Sequence, residues 1–138
     1  MPASAPEISR LVTAIHAKPE KAVIVVTGAG IAALAWLFAE GGTSRSVLEA
    51  RVPYSIHALD EFVGVDADKH VSEDEALRMA DRAYERALAL RRDGDDSPVI
   101  GVSCTATIAT DYRKRGSHRA HAALRTATRR TGYSLEFE

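Results

Sequence analysis

Thr27-Gly28-Ala29-Gly30 stands between a β-branched run, Val23 to Val26, and an unbroken apolar stretch from Ile31 to Phe38. Glycines at such a corner let backbone N–H groups converge where a helix begins, and the positive end of the helix dipole favours an anion there. Gly28-Ala29-Gly30-Ile31-Ala32-Ala33 also satisfies the relaxed dinucleotide fingerprint, which sets a pyrophosphate on the same N–H groups. The acidic residue which that fingerprint needs about 20 positions on would be Glu49, inside the next strand-like run rather than at its end. The chemistry expected of Thr27, Gly28, Ala29 and Gly30 is reception of a phosphate or carboxylate. The competing reading is a tight strand-to-helix turn.

Other residues join the candidate set by position. Tyr54-Ser55 close a strand-like segment, where a sheet presents functional groups, and Ser103-Cys104-Thr105 close another. Alternation puts Ser103 and Thr105 on the face opposite Cys104, and a lone cysteine with no base beside it in sequence reads as a small buried filler. The basic run Arg113 to Arg119 supplies Lys114, Arg115 and His118 as cations able to meet a phosphate, Arg by bidentate bonds and Lys as a point charge. The competing reading is a solvated loop. His118 and His121 fall on opposite faces of a strand and cannot chelate one metal through strand geometry, so no metal and no cofactor is assigned.

The elements that must position these residues follow from periodicity. Ser4-Ala5-Pro6-Glu7 is a capping box, and Ile8, Leu11, Val12 and Ile15 give an amphipathic helix from Ser4 to Ala17 that ends near Pro19. Val23 to Val26 reads as a strand buried on both faces, and Ile31 to Ala39 as a helix apolar all round at the centre of the fold, ended by Gly41-Gly42. Val47 to Tyr54 is a second strand, followed by a short helix through Ile56, Leu59 and Phe62-Val63 closed by Gly64. A second capping box, Ser72 to Glu75, opens a helix with Ala76, Met79, Ala80, Ala83, Ala87 and Leu90 as its buried stripe until Asp93-Gly94. Pro98 to Cys104 is a third, doubly buried strand. After a polar loop from Asp111 to Gly116 comes a hairpin, Ser117 to Thr126 and Tyr133 to Phe137, turned at Arg129 to Gly132. The expected architecture is α/β, a three-layer α/β/α domain with a mixed, mostly parallel sheet closed by the C-terminal hairpin, with 1–20 as N-terminal helix and linker and 21–138 as core.

Composition narrows the function classes. The chain has 138 residues, about one domain, too short for a full two-halved dinucleotide fold. A net charge of -1 predicts no general attraction to nucleic acid or acidic membranes, so any basic site is local. The one cysteine excludes an internal disulfide, the N-terminus shows no charged-then-apolar leader, and a cytoplasmic location is expected.

The segments "GTSRSVLEARVPYSIHALDEFVGV" and "VSEDEALRMADRAYERA" resemble the C-terminal domain of the competence-damage-inducible protein CinA, in order and in spacing. "VLEARVPYS", "GVSCTATIAT" and "KRGSHRAHAAL" resemble the CinA-like first half of two-domain proteins related to nicotinamide-nucleotide adenylyltransferases. The resemblance covers Lys21 to Phe137. It implies a phosphorylated small-molecule ligand like a nicotinamide nucleotide and, in active members, release of ammonia from the carboxamide. The family's ESCTGG maps onto Val26 to Ile31, which places its serine on Thr27, and its Tyr-Ser falls on Tyr54 and Ser55. Thr27, Tyr54 and Ser55 are thereby the implied catalytic residues, and Gly28, Ala29, Gly30, Ser103, Thr105, Lys114, Arg115 and His118 the ligand-binding ones. Two departures, Thr27 for the serine and "VSCTATIATD" where the family has a glycine-rich loop, leave two classes open: an amidohydrolase, or a catalytically silent binding or oligomerisation module. The family usually adds a helix after the hairpin. A bare sheet face is therefore expected, covered by homo-oligomerisation, by a partner segment or by the N-terminal helix.

Overall fold

The computed structural model describes residues 5–65, 70–107 and 118–137. In chain order the elements are α1 (Ala5–His16), β1 (Lys21–Thr27), α2 (Ile31–Ala39), α3 (Thr43–Ser46), β2 (Val47–Arg51), α4 (Ile56–Val63), α5 (Glu73–Leu90), β3 (Val99–Ala106), β4 (His118–Arg125) and β5 (Arg130–Phe137). They build one sheet of order β2-β1-β3-β4-β5. β2, β1 and β3 run parallel, β4 pairs antiparallel with β3, and β5 antiparallel with β4. The two doubly apolar strands, β1 and β3, are neighbours, with Val23 opposite Gly101 and Val25 opposite Ser103.

Helices cover both sides of the parallel half. On one side Val23, Val25 and Val99 pack with Leu59 and Val63 of α4 and Met79, Ala83 and Ala87 of α5. On the other, Ala22, Ile24 and Val26 pack with Leu34 and Leu37 of α2. The small residues of α5 let its backbone approach the sheet closely: a Cβ at Gly101 would lie 2.2 Å from the Ala80 carbonyl oxygen and 2.4 Å from the Tyr84 nitrogen. Charge fixes the same helix laterally. Arg86 grips Glu49 of β2 through Nε at 3.2 Å and Nη2 at 3.1 Å, and Asp81 accepts from Arg125 and Arg130 of the hairpin at 3.0 Å each.

α1 is held through its last residue. Buried His16 bonds the Ser46 hydroxyl through Nδ1 and the Leu37 carbonyl through Nε2 at 2.9 Å. The carbonyl can only accept, so Nε2 carries a proton and, in the neutral ring, Nδ1 accepts from Ser46. One imidazole thereby joins α1, α2 and α3.

Several elements differ from the sequence reading. β2 stops at Arg51, because Pro53 has no N–H to continue a ladder, so Tyr54 lies beyond the strand. The hairpin turns at Thr126 to Arg129, where Thr126 N donates to Arg129 O at 2.9 Å, and Gly132 sits inside β5 opposite Ala123. Gly132 is small because the Glu73 carboxylate lies over it, 2.8 Å from where a Cβ would stand. α2 is also not central. None of its residues is buried, and it touches the sheet through one stripe that includes Leu34 and Leu37.

Candidate functional site

The carboxyl ends of β1, β2 and β3 share one edge of the sheet, and the chain leaves them through Thr27 to Gly30, Val52 to Ser55 and Thr107. β4 enters at the same edge, where Thr107 N donates to Arg119 O at 3.0 Å and the Thr107 hydroxyl lies 3.5 Å from His118 Nδ1. Open parallel sheets receive ligands in such a crevice, outside the carboxyl ends.

The glycine corner is built tightly. Gly28 has φ +84, a left-handed conformation that side chains rarely adopt, and a Cβ there would lie 1.8 Å from the Ala106 carbonyl oxygen. The turn therefore rests on the end of β3. Gly30, with φ -87, is the N-cap of α2 and supplies no side chain to its first N–H groups. A Cβ at Gly30 would sit 3.3 Å from that of Val26 and 3.6 Å from Cys104 Sγ. The corner thus leaves donors uncapped above an apolar floor, an arrangement that receives an anion without competition from the protein's own side chains.

The remaining candidates separate by face. Thr27 follows Val25 by alternation onto the α5 side and is only 7% exposed. Ser103 and Thr105 are buried on that side, donating to the Ala76 carbonyl and the His70 carbonyl at 2.6 Å each. Those two hydroxyls latch α5 and its approach segment to β3, which corrects the expectation that they face a ligand. Cys104 is on the α2 side, and burial pushes its thiol pKa above the ordinary value. Ser55 caps α4, accepting from Ala58 N at 3.1 Å, while Tyr54 is exposed. Glu49 is held below the usual carboxylate range chiefly by the Arg86 hydrogen bonds, with Arg51 adding to them, and is therefore engaged rather than free for a ribose. His118 and His121 fall on opposite faces of β4, as their spacing requires. Lys114 and Arg115 lie outside the described residues.

A polar cluster at this edge was not singled out from sequence. Buried Glu75 accepts from His70 Nδ1 at 2.8 Å and from Arg78 Nε at 3.1 Å, and Asp60 Oδ1 lies 3.8 Å from His70 Nε2. The signal present was the capping box, which marked Glu75 as a helix-start residue and not as a buried one. The arrangement ties α4, α5 and, through the His70 carbonyl, β3 into one corner. A depression of about 680 Å³ lined by Arg51, Phe62, Arg82 and Arg86 lies between α4, α5 and the β2 edge, with Glu61 and Glu85 balancing its arginines. It does not reach the glycine corner. Among the described residues no helix is long and apolar enough to cross a membrane.

No family model and no curated protein matches the sequence. Solved structures do. A CinA superfamily protein from Escherichia coli matches 100% of this chain and 82% of its own with TM-score 0.65 at 18% identity. A competence/damage-inducible protein from Agrobacterium tumefaciens matches 99% and 81% with TM-score 0.65 at 19% identity. A third, from Enterobacter asburiae, matches 99% and 86% with TM-score 0.65 at 16% identity. Agreement in fold at so low an identity, over nearly the whole of this chain, means that it has the fold of the CinA superfamily proteins.

Proposed function

We propose that the protein binds a phosphorylated small molecule resembling a nicotinamide nucleotide, in the crevice outside the carboxyl ends of β1, β2 and β3. The observation that carries this reading is the corner from Thr27 to Gly30, where a left-handed glycine wedged on β3 leads into a helix without a side-chain cap. Its backbone N–H groups are offered to the ligand's anionic group, His118 stands beside Thr107 at the same edge of the sheet, and Lys114 and Arg115 are the cations that the sequence assigns to the phosphate. The fold of the CinA superfamily supports the same assignment. A free thiol at Cys104 is in keeping with a cytoplasmic setting.

Binding is favoured over amide hydrolysis by the state of the hydroxyls and the thiol. Thr27 is packed on the α5 side, the Ser55 hydroxyl serves a helix cap, and Cys104 is held as the thiol. Among the described residues none of the three is hydrogen-bonded to a histidine or carboxylate that would take its proton, which nucleophilic catalysis requires.

Calorimetric titration of nicotinamide mononucleotide into the parent protein tests the reading. The parent should bind and Gly30→Val should not, because a branched side chain would crowd Val26 and Cys104 and shift the corner that presents the N–H groups. Lys114→Ala should weaken binding roughly tenfold, the loss of one charge-assisted contact of about 1.5 kcal/mol. No heat from the parent, beside a working positive control, would reduce the corner to a turn. Ammonia released by the parent, raised further in Thr27→Ser, would restore the hydrolytic reading.

A further inference from the structure

Among the described residues two buried side-chain polar atoms have no hydrogen-bond partner, Asp60 Oδ1 and His121 Nε2. Both belong to the α5 side of the carboxyl edge. His121 stands opposite Thr105 in the ladder of β3 and β4, and Thr105 donates to the carbonyl of His70, whose ring faces Asp60. Folded chains rarely leave buried polar atoms unpaired, so two of them around one residue mark a place suited to an incoming polar group. The glycine corner lies on the same edge. Thr105 is opposite Thr27, one strand spacing of about 5 Å away, and Gly28 rests on the Ala106 carbonyl.

The way the His70 ring is fixed decides what group can enter. Its Nδ1 lies 2.8 Å from Oε2 of buried Glu75, whose Oε1 accepts from Arg78 Nε at 3.1 Å. A carboxylate only accepts, so Nδ1 carries the proton and, in the neutral ring, Nε2 presents a lone pair. Asp60 Oδ1, 3.8 Å from it, presents another. Two acceptors at this separation cannot bond each other, and they suit a group that brings two donors side by side. The hydroxyls on neighbouring carbons of a pentose do so, each donating to one acceptor. Dinucleotide folds use a carboxylate for a ribose hydroxyl in the same way, and Glu49, gripped by Arg86, is not free to serve. We infer that Asp60 and His70 bind the vicinal hydroxyls of the ligand's pentose, one acceptor to each, while the corner from Thr27 to Gly30 holds its phosphate. The inference rests on the nucleotide reading above and gives the sugar to two residues which that reading leaves unused. Asp60 and His70 are 17% and 22% exposed, so the pair opens to solvent, and a half-turn of the Asp60 carboxyl brings either oxygen to the entering group.

Calorimetric titration with nicotinamide mononucleotide and with its 2′-deoxy analogue tests it. The parent should bind the ribonucleotide about tenfold more tightly than the deoxy form, the loss expected when one hydrogen bond to a charged acceptor is withdrawn. Asp60→Ala, with an unchanged circular dichroism spectrum, should bind both nucleotides equally and at the parent's affinity for the deoxy form. Should Asp60→Ala misfold, Asp60→Asn, which keeps the shape and gives up the charge, should discriminate less than the parent. Two results overturn this inference alone: a parent that binds both nucleotides equally, and a discrimination undiminished in the Asp60 variant. A parent that binds neither nucleotide overturns the ligand reading and this inference together.

Discussion

Cys104 shows how one position decides between chemistries. Its Sγ lies beneath the glycine corner on the α2 side, and burial disfavours the thiolate that nucleophilic attack would need. Iodoacetamide should therefore label the native protein at neutral pH about tenfold more slowly than the urea-unfolded chain, with the native rate rising only at alkaline pH. Equal rates would mean that the thiol is open and ionised. Alternation along β3 was legible in the sequence and correctly sets Ser103 and Thr105 against Cys104. Which of those two faces would lie under α5 was not, because that depends on the side by which α4 and α5 cross the sheet. The same gap hid the burial of Thr27.

At the scale of elements, contact between α5 and β3 sets the position of everything at the carboxyl edge. Gly101→Ala would drive a methyl group into the backbone of α5 at Ala80 and Tyr84 and should lower stability by about 3 kcal/mol, read as a shift of the urea midpoint. A change within a few tenths of a kcal/mol would show that the helix is not seated on the glycine. α5 was the most legible element, since Ser72 caps its start and its apolar stripe has the period of a helix. Gly132 misled for the same kind of reason that Gly101 matters: its smallness answers to a neighbour distant in sequence, Glu73, and not to a local turn. α3 also went unread, because one helical turn has too few residues to show a period.

For the whole molecule, two carboxylates far apart in the sequence link it to pH. Asp95 is held below its ordinary range by Lys21 Nζ at 2.6 Å and by Ser97, and Glu49 by Arg86 and Arg51. A carboxyl whose pKa falls on folding stabilises the native state above the unfolded-state pKa of about 4, and that contribution is lost as pH falls toward the folded value. The melting temperature of the parent should accordingly drop on acidification below pH ~4, and the double variant Glu49→Gln, Asp95→Asn should start lower at neutral pH and drop less steeply. Parallel curves would remove both pairs from the account of acid stability. Composition gave no sign of these pairs. A near-neutral chain has many ways to match its charges, and the fold selects Arg86 for Glu49 and both Arg125 and Arg130 for Asp81 across 37 to 49 positions of sequence.

The sheet order carries a consequence in time. β1 takes its place between β2 and β3, yet Val99, the partner of Lys21, comes 78 positions later in the chain. Every other ladder joins strands adjacent in sequence. At roughly 5 to 20 residues per second of synthesis, Val23 to Val26 waits about 4 to 15 seconds after emerging before the strand that shields its second edge exists. Until then a short, uncharged, β-branched segment has one open ladder, the condition under which chains pair with each other. The residues that make the most deeply buried strand are thus, for those seconds, the ones most exposed to the wrong neighbour.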